Sequence, residues 1–244
     1  MKSTFFISDL HLDPGRPDIL EQFGRFTEDY APHADAVYIL GDFVEYWIGD
    51  DDDAHGLEPA LQQLQELAAR IPVYLMHGNR DFLLGSKFAA QRKIHLLQDP
   101  TVIDLYGTPT LLMHGDTLCT DDVKYQTFRR MVRTESWQQE FLRKPLAERR
   151  QIVMGLRATS KQETLAKPEE IMDVNSDTVV TTMRQHGVKQ LIHGHTHRPK
   201  IHRLEIDNHP AQRIVLGDWY DKGNILIYRP DGYELRETDF INPL

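Results

Sequence analysis

Five segments of this chain share one design: a short apolar run that stops at a carboxylate, histidine or amide, and four of the five blocks hold a glycine. Thr4 to Ser8 precedes Asp9-Leu10-His11, Ala36 to Leu40 precedes Gly41-Asp42, and Pro72 to Met76 precedes His77-Gly78-Asn79-Arg80-Asp81. Thr110 to Met113 precedes His114-Gly115-Asp116, and Leu191-Ile192 leads into His193-Gly194-His195-Thr196-His197. Apolar runs this short, bounded by turn residues, read as buried strands. Between the first three lie Asp18 to Tyr30 and Leu57 to Ala69, whose apolar residues (Ile19, Leu20, Phe23, Phe26; Leu57, Leu61, Leu64, Leu67) fall at helical spacing. Strand, helix, strand, helix, strand is the signature of a layered α/β sheet. Sites in such sheets form at the carboxyl ends of strands, so Asp9, His11, Asp42, Asn79, His114, His195 and His197 are expected in one crevice. The neighbouring glycines are expected to let the backbone turn sharply there. Singly, each block is weak, because Asp often caps a helix and Gly-Asp often makes a turn. Five in order, all at strand ends, specify a site.

The rest of the chain divides in two. From Leu191 onward, short β runs are parted by turn signals such as Asp207-Asn208, Asp221-Lys222-Gly223 and Pro230-Asp231-Gly232, which predicts a mostly antiparallel sheet. Residues 120–187 read as a helical insertion. Within it, Lys124 to Lys167 holds eleven Lys or Arg and four Glu, a formal +7 inside a protein of net charge −9. Phe128, Met131, Val132, Trp137, Phe141, Leu142 and Leu146 are interleaved with this charge. The charge taken alone reads as a solvated helical face, but with the interleaved apolar residues the insertion suits an anionic amphiphile or a membrane surface.

The 244 residues fit one large domain carrying an insertion. The negative balance argues against a nucleic-acid partner. Cys119 is the only cysteine, which suits a reducing cytosol and excludes an intrachain disulfide. The first apolar run meets Asp9 at once, so it reads as a strand and not a signal peptide. No run reaches the ~18 apolar residues of a membrane span. The expectation is a cytoplasmic protein with no obligate protein partner.

The blocks Asp9-x-His11, Gly41-Asp42, Gly78-Asn79, His114 and Gly194-His195-x-His197 resemble those of the calcineurin-like metallophosphoesterase superfamily. The resemblance implies an α/β (α+β) fold, a two-sheet sandwich flanked by helices, with a two-metal site. It implies one metal on Asp9, His11, Asp42 and His197, and another on Asp42, Asn79, His114 and His195, with Asp42 bridging. Mixed nitrogen and oxygen ligands without thiolate favour Mn²⁺ over structural zinc. Two such ions can lower the pKa of a shared water and stabilise entering and leaving oxygens, so the reaction class is hydrolysis at phosphorus. His193 is left over, to position the strand or touch substrate.

One departure narrows the chemistry. The superfamily usually follows Gly-Asn with histidine, which can protonate a departing alkoxide; here the residue is Arg80. An arginine stays charged and is no ready acid. It suits a leaving group that departs unprotonated, as a phosphate does, and its donor fork suits a diphosphate. With FISDLHL, ADAVYILGDFVEYWIGDDD, HGNRDFLLG, LMHGDTLCTDD, IMDVN and LIHGHTHRP, the chain resembles the UDP-2,3-diacylglucosamine pyrophosphatases of the lipid A pathway across nearly its whole length. That resemblance implies UDP-2,3-diacylglucosamine as substrate, attack at the α-phosphorus, and release of UMP and 2,3-diacylglucosamine 1-phosphate. It makes the insertion a lid for the acylated sugar and implies peripheral contact with the cytoplasmic face of the inner membrane. It places Asn79, Arg80, Asp122, Ser160, Thr164, Lys167 and His195 around the glucosamine and phosphates, and Phe128, Phe141 and Met172 along the acyl chains. Thr164 stands where an asparagine is expected.

Other readings are weighed by the same residues. A Cys-x5-Arg phosphatase needs arginine at position 125, where the chain has Tyr125, so Cys119 reads as an incidental buried thiol. Asp50 to Asp53 reads as a solvated loop. No GxxxxGK run supports ATP chemistry. The alternatives are another nucleotide-sugar or cyclic-nucleotide phosphodiesterase of the superfamily, or a non-catalytic scaffold. Arg80 and the amphipathic insertion oppose the first, and the complete ligand set opposes the second.

Overall fold

A computed structural model describes residues 2–54, 56–166 and 171–241. The apolar runs form β1 (Thr4–Ile7), β2 (Ala36–Leu40) and β3 (Val73–Met76), joined by α1 (Pro17–Arg25) and α2 (Glu58–Ala68). Then come α3 (Ser86–Arg92), β4 (His95–Leu97), β5 (Thr101–Leu105) and β6 (Thr108–Met113). The insertion holds α4 (Val123–Val132), α5 (Glu135–Leu142), α6 (Leu146–Ala166) and α7 (Ser176–Gln185). The chain closes with β7 (Gln190–His193), β8 (Lys200–Ile206), β9 (His209–Val215), β10 (Gly223–Arg229) and β11 (Gly232–Thr238).

Two sheets pack face to face. The first runs β11-β10-β1-β2-β3-β4, with β1 to β4 parallel and β10 antiparallel to β1. The second runs β5-β6-β7-β9-β8, with β7 parallel to both of its neighbours. The expected single antiparallel C-terminal sheet is therefore corrected: β10 and β11 join the first sheet, while β7, β8 and β9 join the second. The β8–β9 and β10–β11 pairs are the antiparallel hairpins that the turn signals announce. Their sheet partners, β1 and β7, are chosen by burial and not by local sequence.

The central strands β1, β2, β3, β7 and β10 are covered on both faces and read as mostly apolar runs, whereas β5, β8 and β11 alternate with exposed residues. Phe6, Leu40 and Met76 of the first sheet meet Leu112, Ile192 and Ile214 of the second in the inner core. The alternate residues Ile7, Ile39 and Leu75 face outward against Ile19 and Phe23 of α1, Leu61 and Leu64 of α2, and Phe88 of α3. On the other side Leu111, Met113 and Leu191 pack on Val179 and Met183 of α7. Because parallel strands end at the same edge, the loops after β1, β2 and β3 emerge together, and those after β6 and β7 meet them across the sandwich.

The Asp50 to Asp53 run is not a solvated loop. Asp50 accepts hydrogen bonds from Trp47 Nε1 (3.0 Å) and from the Gly85 and Phe88 amides (2.9 and 2.8 Å), closing the start of α3. Asp51 pairs with Arg149, and Asp52 and Asp53 pair with Arg150, so the loop seats α6. Seven of the nine described cations in Lys124 to Lys167 are engaged by protein acceptors: Arg129, Arg130, Arg133, Lys144, Arg149, Arg150 and Arg157. Much of the basic charge therefore docks the insertion.

One buried acid carries a pH signature. Both carboxylate oxygens of Asp99 are buried without a hydrogen-bond partner. Burial, reinforced by the nearby Asp116 carboxylate, pushes its pKa up to about 6. A raised carboxyl binds its proton more tightly in the folded state, so stability falls as pH rises from about 4 to about 6. Above that window the charged form costs about 3 kcal/mol. Asp99→Asn should therefore raise the melting temperature at pH 8 by several degrees and leave it unchanged near pH 4. Equal shifts at both pH values would contradict this assignment.

Candidate metal centre

The loop after β1 brings Asp9 and His11 to the sandwich edge, and the loop after β7 brings His195 and His197. Donor atoms of Asp9, His11 and His197 lie within 4.8 Å of one another, as do those of Asp42, His114 and His195. His11 Nε2 is 3.3 Å from His197 Nε2, and His197 Nε2 is 3.4 Å from Asp9 Oδ1. Asn79 Oδ1 is 3.0 Å from His114 Nε2. Asp42 stands between the groups, with Oδ2 3.7 Å from His11 Nε2 and Oδ1 3.8 Å from His114 Nε2. All seven expected ligands thus lie in two adjoining clusters that share one carboxylate.

The donor set fits divalent cations. Asp9 is fully buried, and its Oδ2 accepts from Ser8 Oγ (2.6 Å) and the His195 amide (2.9 Å). Its Oδ1 is buried with no hydrogen-bond partner and faces the other ligands. Burial opposes a charge on His114, yet Asp42, Asp116 and Asp9 together raise its pKa to about 9. The pocket therefore attracts positive charge. Nitrogen and oxygen donors without thiolate suit divalent first-row ions.

The backbone pays for this convergence at the ligands themselves. Asp9, His11, Asp42, His195 and His197 all have positive φ, from 50° to 70°. Such conformations cost side-chain-bearing residues energy and persist where the surroundings impose them, characteristically at functional sites. Gly41 and Gly115 make the expected turns, with φ of 92° and 118°, whereas Gly78 and Gly194 have a different task. A Cβ on Gly78 would lie 2.1 Å from Asp42 Oδ1, and one on Gly194 would lie 2.3 Å from Asp9 Oδ2. Both are needed for space, since each passes against a ligand carboxylate from a different strand.

His193 stays outside both groups. It is fully buried, with Nδ1 donating to Gly194 O (2.8 Å) and Nε2 facing Arg213 Nη1 at 3.2 Å. Only the neutral Nδ1–H tautomer satisfies both partners. Burial and the Arg213 guanidinium push its pKa down to about 3. It ties β7 to β9.

The strand-end pattern assigns no task to several supporting residues. Asp81 is fully buried and accepts from the Phe43 and Gly78 amides, both at 2.7 Å, so it clamps the Asp42 and Asn79 loops together. Asp116 accepts from Tyr125 Oη and Arg129 Nε, each at 2.6 Å, and Tyr125 stacks on His195 with ring centroids 6.0 Å apart. Arg133 Nη2 donates to Gly78 O at 2.7 Å. Helix α4 therefore rests on the loops that carry His114, His195 and Asn79. Glu45, Asp218 and Tyr220 also surround His11 and His197.

Of the residues expected to touch substrate, Arg80 borders the site. Its amide donates to Asp42 Oδ1 at 2.8 Å, and its Nε is buried without a hydrogen-bond acceptor. Asp122 caps α4 by accepting from the Tyr125 amide at 3.1 Å. Ser160 is half-buried on α6, one turn beyond Arg157. Lys167 and the side chain of Thr164 lie outside the described residues. Phe128 lines a groove of about 450 Å³ with Val123, Lys124, Thr127 and Met131. Phe141 is instead buried against Trp137, with stacked rings 5.0 Å apart. Met172 is half-buried, and its carbonyl faces the Cys119 sulfur at 3.6 Å. Burial pushes the Cys119 thiol up to about 12, which leaves it inert as a nucleophile.

A calcineurin-like phosphoesterase family model matches residues 3–199. A protein of Cellvibrio japonicus named UDP-2,3-diacylglucosamine hydrolase is 49% identical, the match covering 97% of this chain and 99% of its own. Proteins of the same name from Nitrosococcus oceani and Aeromonas salmonicida are 47% and 48% identical, covering 99% of this chain and 97% and 96% of theirs. Among solved structures, an archaeal phosphodiesterase at 13% identity matches 97% of this chain and 99% of its own with a TM-score of 0.50, a likeness of fold alone. The chain belongs to the calcineurin-like phosphoesterase family.

Proposed function

We propose that the protein hydrolyses the pyrophosphate bond of UDP-2,3-diacylglucosamine by attack of water at the α-phosphorus, giving UMP and 2,3-diacylglucosamine 1-phosphate. The observation that carries this reading is the near-full-length match to relatives of that name, together with two ligand groups that share Asp42. Asp9, His11, Asp42 and His197 would hold one divalent ion, and Asp42, Asn79, His114 and His195 the other, with Mn²⁺ as the ion of choice. Such a pair lowers the pKa of water and neutralises charge on the entering and leaving oxygens.

The chain's own groups do the rest. Asp42 directs one oxygen to each ligand group, which sets the spacing between them. Arg80 sits beside that carboxylate and offers a charged donor fork to the diphosphate. Its charge stabilises the transition state, and no proton is required because the sugar phosphate leaves as an anion. Asn79 and His195 orient the phosphates from the ligand side, and Asp122, Ser160, Thr164 and Lys167 contact the glucosamine and phosphates. Residues 120–187 form the lid, with α4 and α6 over the site.

Peripheral membrane contact follows from the same insertion. No helix among the described residues is long and apolar enough to cross a membrane. Among the described residues, five of the eight exposed large apolar side chains, Val123, Met131, Leu142, Met154 and Leu156, lie within it. Lys124 and Arg130 flank them on α4, as expected for a surface that meets anionic lipid on the cytoplasmic face of the inner membrane.

Comparing UDP-2,3-diacylglucosamine, UDP-glucosamine and a nitrophenyl phosphodiester in Mn²⁺ tests the reading. The diacylated substrate should give a kcat/KM at least about 10²-fold higher than either, since two acyl chains and a diphosphate each add contacts. A preference for the unacylated nucleotide or the diester would contradict it.

A further inference from the structure

Three of the ligand imidazoles turn Nε2 to the ligand groups and Nδ1 to an oxygen acceptor. For His114 the acceptor is Leu40 O at 2.9 Å, and for His197 it is Asp218 Oδ2 at 3.3 Å. For His11 it is Glu45 Oε2 at 2.8 Å, a close polar contact without hydrogen-bond alignment. The first two acceptors belong wholly to the sandwich. Glu45 differs because its other oxygen, Oε1, accepts from Arg157 Nη2 at 2.9 Å, and Arg157 stands on α6 of the insertion. Arg157 also packs 5.2 Å over the Tyr46 ring and lies 3.6 Å from Asp13 Oδ2, so its guanidinium is held on three sides. The Glu45 side chain is only 15% exposed, so water competes weakly for it.

We propose that Glu45 is a positioning residue for His11, and that Arg157 couples the seating of α6 to the geometry of the first ligand group. This rests on the reading of His11 as a metal ligand. An acceptor at Nδ1 selects the tautomer that leaves the Nε2 lone pair free, and it also limits rotation of the ring. Glu45 can do this only while its own carboxylate is held, and the charge-assisted bond from Arg157 holds it. Arg157 therefore acts on the first ligand group through two side chains, before any substrate is present. An Arg157 that served only to bind substrate phosphate would have no effect on metal affinity in the absence of substrate.

That difference is the test. The full chain, freed of metal, is titrated calorimetrically with Mn²⁺ and without substrate. Wild type should take up two ions. Glu45→Gln should weaken one of them by roughly 10- to 100-fold and leave the other within about twofold. Arg157→Ala should weaken the same ion by roughly 10-fold, with Arg157→Lys restoring part of the loss. Arg150→Ala, which removes a half-exposed α6 arginine and leaves the pair between buried Arg149 and Asp51 to seat the helix, should change neither constant. The ¹⁵N shifts of His11 should show the Nδ1–H tautomer in wild type and a tautomer mixture in Glu45→Gln. Two ions bound with unchanged constants in both Glu45→Gln and Arg157→Ala would overturn the coupling. An equal loss in Arg150→Ala would also overturn it, because it would mark general loosening of the insertion. A wild type that binds no Mn²⁺ would instead refute the ligand groups themselves, and the coupling with them.

Discussion

Asp42→Ala is expected to abolish paired metal binding and to lower hydrolysis of UDP-2,3-diacylglucosamine by at least about 10³-fold, the scale on which sites lose rate when a charge-stabilising group goes. The reason lies in its two oxygens. Oδ2 faces His11 and Oδ1 faces His114, so one side chain serves both ligand groups. The Arg80 amide also donates to Oδ1, so the same substitution frees the start of the Arg80 loop. Removing His11 alone would spare the second group. Metal content measured after dialysis, alongside turnover, checks the effect. Unchanged content and rate would remove Asp42 from the centre.

Arg80→Ala should cost about 10²- to 10³-fold in kcat/KM while metal content stays at the wild-type level. The guanidinium contacts no ligand side chain, and only the Arg80 amide, which alanine keeps, touches Asp42. Arg80→Lys should recover a minor part of the loss, since a point charge cannot reproduce a planar fork. Arg80→His carries the sharper consequence. It supplies an acid for alkoxide leaving groups and removes the fork, so the ratio of phosphomonoester to pyrophosphate hydrolysis should rise by on the order of 10². An unchanged ratio would show that Arg80 does not set the leaving-group preference. Parallel assays on both substrate types measure it.

The parts of this centre that could be read from sequence are those marked by local pattern. Each candidate ligand lies next to an apolar strand, and in four of the five blocks a glycine supplies the turn or the space, so strand ends and candidate ligands appear together. The α1 and α2 helices were legible because Ile19, Phe23, Leu61 and Leu64 repeat on one face. The supporting acids were not. Glu45 and Asp218 are single carboxylates with no local signature, Asp81 and Asp116 lie inside the strand-end blocks without a pattern that assigns their task, and each acquires its role from a partner that the fold delivers. Glu45 meets Arg157 across 112 residues, and Asp51 meets Arg149 across 98. For the same reason the acidic loop looked solvated and the basic insertion looked free to bind anions, when much of each satisfies the other. The C-terminal hairpins were visible in their turns, but their assignment to different sheets depended on β10 pairing with β1 across the whole chain. The positive φ angles of five ligands were equally invisible, because the strain is imposed by convergence and not by residue type.

The most direct test of the account is hydrolysis of UDP-2,3-diacylglucosamine in H₂¹⁸O with Mn²⁺, followed by mass analysis of both products. Attack at the α-phosphorus places one ¹⁸O in UMP and none in 2,3-diacylglucosamine 1-phosphate. Label in the sugar phosphate, or no turnover by a protein that has bound both ions, would contradict it.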